Sequence, residues 1–90
     1  MNFEWDEHKN RINIREHGID FDDAKEVFCS RVIVEIDDRH DYGELRLIGI
    51  GLLKDRVITV VFTEPEPGII RLISARKAVK HERKKYEEEI

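Results

Sequence analysis

The chain of 90 residues has one cysteine, two prolines, five glycines and one tryptophan, and no apolar run approaches the length of a membrane span. The lone Cys29 excludes an internal disulfide. Its neighbours Val27 and Phe28 predict a small buried hydrophobe there rather than a nucleophile or a ligand. The opening Met1-Asn2-Phe3-Glu4-Trp5-Asp6 is acidic and aromatic, unlike the basic and then apolar start of a secretory signal, so a cytoplasmic location is expected. His8 and His17 lie nine residues apart, a spacing that suits no common two-histidine metal motif. Neither a metal nor another cofactor is therefore expected. Repeats, low-complexity tracts and linkers are also lacking, and the length suits one domain over residues 1–90 with a single modest core.

What is present is a clear alternation of elements. Asp6 is a good helix N-cap, and residues Glu7 to Glu16 predict a helix ended by Gly18, with a thin apolar face at Trp5 and Ile12. Asp20 caps a second short helix in which Phe21, Ala24, Val27 and Phe28 form a buried stripe. Four β-branched segments follow, Val32–Ile36, Leu45–Leu53, Val57–Thr63 and Ile69–Ile73. Lys54-Asp55 is a tight hairpin link, and Pro65-Glu66-Pro67-Gly68 holds both prolines in a turn. Short links predict antiparallel pairing of the last three strands. Ser74-Ala75-Arg76 then leads into a short basic helix. The fold class is α+β, with two N-terminal helices, a mainly antiparallel sheet of about four strands and a C-terminal helix.

Charge is unevenly spread. The chain carries 16 Lys and Arg against 20 Asp and Glu, a net charge of −4. Between Ile69 and Tyr86, however, seven cations (Arg71, Arg76, Lys77, Lys80, Arg83, Lys84 and Lys85) face one anion, Glu82. Such a concentration at a strand–helix junction points to a polyanion. The acidic balance argues against nonspecific binding through nucleic-acid backbone alone.

Several segments in order carry a resemblance to a known family. They are Phe3-Glu4-Trp5-Asp6, Lys9 and Asn13, His17-Gly18, and Phe21 with Ala24, Val27 and Phe28. Further on come Asp38-Arg39-His40, Gly43-Glu44 with Arg46, Val60-Val61-Phe62-Thr63, Arg71-Leu72-Ile73-Ser74-Ala75-Arg76, and Ala78, Glu82-Arg83 and Tyr86. Together the chain resembles the BrnT family of type II toxins over nearly its whole length. The resemblance implies a RelE-like fold and a ribonuclease that stops translation. It also implies a BrnA-like ribbon-helix-helix antitoxin, with operator DNA engaged only through the toxin–antitoxin complex.

Metal-independent RNA cleavage needs a base for the ribose 2′-OH, cations for the phosphorane-like transition state and an acid for the leaving oxygen. Arg76, at the expected entry to the basic helix, is the first candidate for a two-pronged phosphate clamp; the competing reading is a structural arginine. His40 and Arg39 sit in a loop among Asp37, Asp38 and Asp41, where a histidine suits proton transfer and carboxylates favour its charged form. The alternative for both is an ordinary loop pair satisfying local acids. Lys9 is a third catalytic or phosphate-contacting candidate. Lys80 and Arg83 fall at i+4 and i+7 from Arg76, an RNA-backbone track to which Lys77, Arg71 and Tyr86 are added. Tyr86 is equally placed for a core-edge aromatic, seven residues from Val79. His81 is expected to be merely exposed. A noncatalytic module that docks an acidic partner or serves a DNA-bound regulatory complex is the competing function.

Overall fold

Asp6 and Asp20 start the first two helices in the computed structural model, which describes residues 1–89. The Asp6 carboxylate accepts the Lys9 N–H at 3.0 Å, and α1 (Glu7–His17) runs to Gly18, whose φ of 70° suits a residue without a Cβ. Asp20 accepts the Asp22 N–H at 3.0 Å and starts α2 (Phe21–Ala24), which continues as a 3-10 turn over Lys25–Cys29. The remaining elements are β1 (Asn2–Glu4), β2 (Val32–Ile36), β3 (Leu47–Leu53), β4 (Arg56–Glu66), β5 (Ile69–Lys77) and α3 (Lys80–Glu89). Sheet order is β1-β5-β4-β3-β2, with β1 parallel to β5 and the other pairs antiparallel.

Period-two alternation along β4 divides the core. Ile58, Val60 and Phe62 are buried with Ile70, Leu72 and Ala75 under the Phe21, Ala24 and Val27 stripe. Phe28 stands edge-on to Phe62 at 5.1 Å, and Trp5 edge-on to Phe21 at 6.2 Å. The 3-10 turn lies directly on β3: a Cβ on Gly51 would come within 2.8 Å of Val27 Cγ1. Thr59, between Ile58 and Val60 in sequence, faces the opposite side and meets α3.

The thin apolar face of α1 is explained by two buried asparagines. β1 covers only Ile69–Arg71 of β5, so the edge beyond has no strand partner. Asn13 fills that place: its Oδ1 accepts the Ala75 N–H at 3.1 Å, and its Nδ2 donates to the carbonyls of Ala75 and Ile19, each at 2.9 Å. Asn10 does the same for the second helix, accepting the Phe21 N–H at 2.9 Å and donating to Asp20 at 3.0 Å.

Four expectations are corrected. The extended opening is a fifth strand, which makes the sheet mixed. β5 continues to Lys77 because β4 pairs it as far as Ile58, so α3 starts only at Lys80. Arg76 is therefore a strand residue, and it shares no helical face with Lys80 and Arg83. Cys29 is exposed, since it ends the 3-10 turn where the chain leaves the core.

Replacing Asn13 by Ala strands three backbone groups, two of them on β5. Asn13→Ala is expected to lose about 2–3 kcal/mol of unfolding free energy in a urea titration.

Candidate functional site

Strand alternation sets the geometry here as well. On β5, Ala75 points into the core and Arg76 points to the α3 side, opposite Thr59. Arg76 Nη1 and Nη2 donate to the two carboxylate oxygens of Glu82 at 2.8 and 2.9 Å. The same carboxylate accepts the Thr59 hydroxyl at 3.0 Å and the Val79 N–H at 2.9 Å. The last bond is the reach-back half of a capping box, made by the third residue of α3 without a Ser or Thr at the cap. Glu82 is buried. Burial alone would raise its pKa, but the bonds from Arg76, Val79 and Thr59 outweigh it and hold the carboxyl down at about 2.

A second bidentate pair lies on the loop after β2. Arg39 Nε and Nη2 donate to Asp37 at 2.7 and 2.8 Å, and the Tyr42 hydroxyl donates to the same group at 3.3 Å. The Arg39 bonds are the main reason that the buried Asp37 carboxyl falls to about 2. Arg46 completes the loop by stacking its guanidinium 4.0 Å from the Tyr42 ring centre.

Between these pairs lies a cleft of about 340 Å³. Arg39, Arg76, His81 and Lys85 supply its nitrogen groups, Glu35 and Glu82 its carboxylates, and Ile48, Ile50 and Val79 its apolar lining. His81 and Lys85 are one turn apart on α3 and so share its cleft side. Lys85 pairs with Glu35 across the cleft, a contact that raises the lysine pKa. Arg76 retains about a third of its side-chain exposure. With Nη1 and Nη2 committed to Glu82, its Nε–H has no partner among the described residues, so the guanidinium is fixed in place with one edge still able to donate.

The other sequence candidates fall elsewhere. His40 is exposed beside Tyr42, with ring centres 5.7 Å apart, and does not line the cleft. Lys9 lines a separate groove between α1 and β5. Arg71 bonds Glu4 of β1 at 2.6 Å, and Arg83 donates to the Ala78 carbonyl at 2.8 Å. Lys77 and Lys80 are exposed and outside the cleft. Tyr86 is buried, its hydroxyl donating to the Arg31 carbonyl at 3.1 Å, which leaves no ring face for a base. The structure adds His81, Lys85, Glu35 and Glu82. Lys85 and Glu82 left a trace in the sequence, as one of the seven cations and as the single acid in that run, His81 was read only as an exposed residue, and Glu35 left none. Among the described residues, no group of three or more His, Cys, Asp or Glu is arranged to hold a metal ion. No described helix is long and apolar enough to cross a membrane.

Comparisons with known proteins give a consistent picture. Residues 5–82 match the family model described as the ribonuclease toxin, BrnT, of type II toxin–antitoxin system. Among solved structures, the chain is similar to the crystal structure of the Brucella abortus ribonuclease toxin, BrnT. Sequence identity is 32% and the TM-score 0.68, over 89% of this chain and 99% of that one. No curated protein matches the chain.

The Glu82 geometry has a pH signature. A folded pKa of about 2, below the usual 4.5, gives stability that is full above pH 4.5 and lost as pH falls towards 2. Glu82→Gln is expected to cost on the order of 2–3 kcal/mol at pH 7, with the gap to wild type narrowing below pH 4. Urea unfolding at pH 7, 4 and 2.5 checks this; a gap independent of pH would contradict it.

Proposed function

This chain belongs to the BrnT family of ribonuclease toxins of type II toxin–antitoxin systems, and from that premise we propose that it is a metal-independent endoribonuclease whose phosphate-binding centre is the cleft around Arg76. The observation that carries the reading is the convergence of Arg39, Arg76, His81 and Lys85 on one cleft. Four nitrogen side chains from the β2–β3 loop, β5 and α3 meet there in an otherwise acidic protein.

The chemistry follows from what each group offers. The ribose 2′-oxygen attacks phosphorus and the P–O5′ bond breaks, leaving a 2′,3′-cyclic phosphate and a 5′-hydroxyl. Negative charge grows on the phosphoryl oxygens as the phosphorane-like state forms. Arg76 meets that charge from a position already fixed by Glu82, and Arg39 from a position fixed by Asp37, so neither must reorganise during the reaction. Lys85 adds a third cation. His81 takes the proton-transfer role, because imidazole is the side chain whose ordinary titration lies near neutrality and His81 lines the cleft. His40, on the loop that carries Arg39, is the second candidate for that role.

The partner follows from the family. A type II system supplies a protein antitoxin, and this reading takes it to be a BrnA-like ribbon-helix-helix protein that covers the cleft. The resulting complex represses its own operon through the antitoxin's DNA contacts, and the toxin acts in the cytoplasm as one domain.

Total RNA incubated in EDTA with wild type, Arg76→Ala and His81→Ala tests the assignment. Wild type is expected to leave 2′,3′-cyclic phosphate ends. Arg76→Ala should lose roughly 10²–10³-fold in rate, and the exposed His81→Ala roughly 10²-fold or more, with its fold unchanged by circular dichroism. Intact RNA beside full antitoxin binding would replace the enzyme with a noncatalytic partner-binding module.

A further inference from the structure

We propose that the groove between α1 and β5 reads a guanine base flanking the phosphate held at Arg76, an inference that rests on the ribonuclease reading of the cleft. The two sites are neighbours on one strand. Ser74 and Arg76 pair with Val61 and Thr59, respectively, and so point to the same face of β5. Alternate residues on a strand are roughly 7 Å apart. A nucleotide whose phosphate meets Arg76 thus has its neighbour beside Ser74. A register shift at this point, with Ile73 as the extra residue, bends the strand and brings both Ile73 and Ser74 into the groove wall.

The lining suits a base rather than a second phosphate. The groove is about 200 Å³, with apolar Ile12 and Ile73 flanked by Lys9, Glu16, His17 and Ser74. Glu16 would repel a phosphate, whereas the main cleft gathers cations. A flat heterocycle with both donors and acceptors fits a groove that offers a carboxylate at one end and an ammonium at the other. Among the described residues, none of the four polar side chains makes an ion pair or a side-chain hydrogen bond within the protein. Asn13, at the base of the groove, is already saturated by Ala75 and Ile19. Lys9 and Glu16 are seven residues apart on α1 and lie on one helical face.

Guanine is the best complement. Its N1–H and exocyclic N2–H₂ offer two parallel donors to the two Glu16 oxygens, while O6 and N7 accept from Lys9 and from the Ser74 hydroxyl. Adenine and uracil lack the paired donors, and cytosine lacks the bulk to reach both side chains. Lys9 is a base-reading residue under this scheme and takes no part in the chemical step.

Mapping cleavage on an RNA pool randomised around a fixed phosphodiester tests the proposal. Wild type is expected to prefer guanine at one flanking position, and inosine there, which lacks the N2 amine, should lose roughly tenfold in relative rate. In Glu16→Gln the guanine preference should flatten by a similar factor, with inosine now equal to guanine. Lys9→Ala should also weaken the preference. Both side chains changed in this way are exposed along the groove, and circular dichroism checks that the fold is retained. A wild type that cleaves RNA without a flanking guanine preference, or Glu16→Gln that keeps it, overturns the groove assignment and leaves the Arg76 cleft standing. A wild type that cleaves no RNA removes the reading on which it rests.

Discussion

The buried carboxylate of Glu82 is the constraint on which the site depends. Taking a carboxylate out of water is costly unless its lone pairs are filled, and here an arginine, a hydroxyl and a backbone N–H fill them. Each donor comes from a different place: Arg76 from β5, Thr59 from β4 and Val79 from the entry to α3. The group therefore fixes where α3 begins, how it sits on the sheet and which way Arg76 points. His81 and Lys85 inherit their positions from that placement. One residue thus sets the spacing of Arg76, His81 and Lys85 around the cleft, while Asp37 holds Arg39.

A second constraint acts on the same strand from its other side. β5 is the spine of the molecule, paired with β4 along its length but with β1 over three residues only. Exposed edge backbone would invite pairing with another chain. Asn13 prevents this at Ala75 by presenting a donor and an acceptor in the manner of a neighbouring strand. The residue between the two halves of the site, Ala75, is held by α1 while Arg76 is held by α3. β5 has little freedom left, which suits a strand that carries both the Arg76 cleft and the groove beside Ser74.

The parts legible in the sequence were those with local signals. Asp6, Gly18 and Asp20 mark helix ends through their own chemistry, and the Phe21–Val27 stripe and the Val- and Ile-rich runs carry their periodicity openly. Boundaries set by partners were hidden. Ser74-Ala75-Arg76-Lys77 has little intrinsic strand preference and is extended because β4 runs beside it; Asn2–Glu4 is a strand only because Ile69–Arg71 receives it. The site follows the same rule. Arg76 was recognisable from its motif and charge context, and Arg39 lines the same cleft. His81 and Lys85 depend on a helix phase that Glu82 dictates, and that bond joins residues whose proximity no spacing reveals. Tyr86 was ambiguous for the converse reason, since a tyrosine on a basic helix looks the same whether its ring meets a base or, as here, the core.

The acidity of the chain and its cationic cleft are compatible because charges act locally in salt water. Screening limits exposed charges to about 8 Å at physiological ionic strength, so acids at Asp22, Asp23 and Glu26 have little effect on a distant cleft. The acids in and beside the cleft are not mere opposition. Asp37 and Glu82 each bind an arginine through two bonds, converting flexible cations into fixed ones and leaving donor capacity for an incoming phosphate. The cost is a weaker net field than an all-basic surface would give, and hence less bulk attraction for a polyanion. A nuclease built this way must gain its discrimination from oriented short-range contacts instead of bulk attraction. The base-reading role proposed for the groove beside Ser74 meets that requirement.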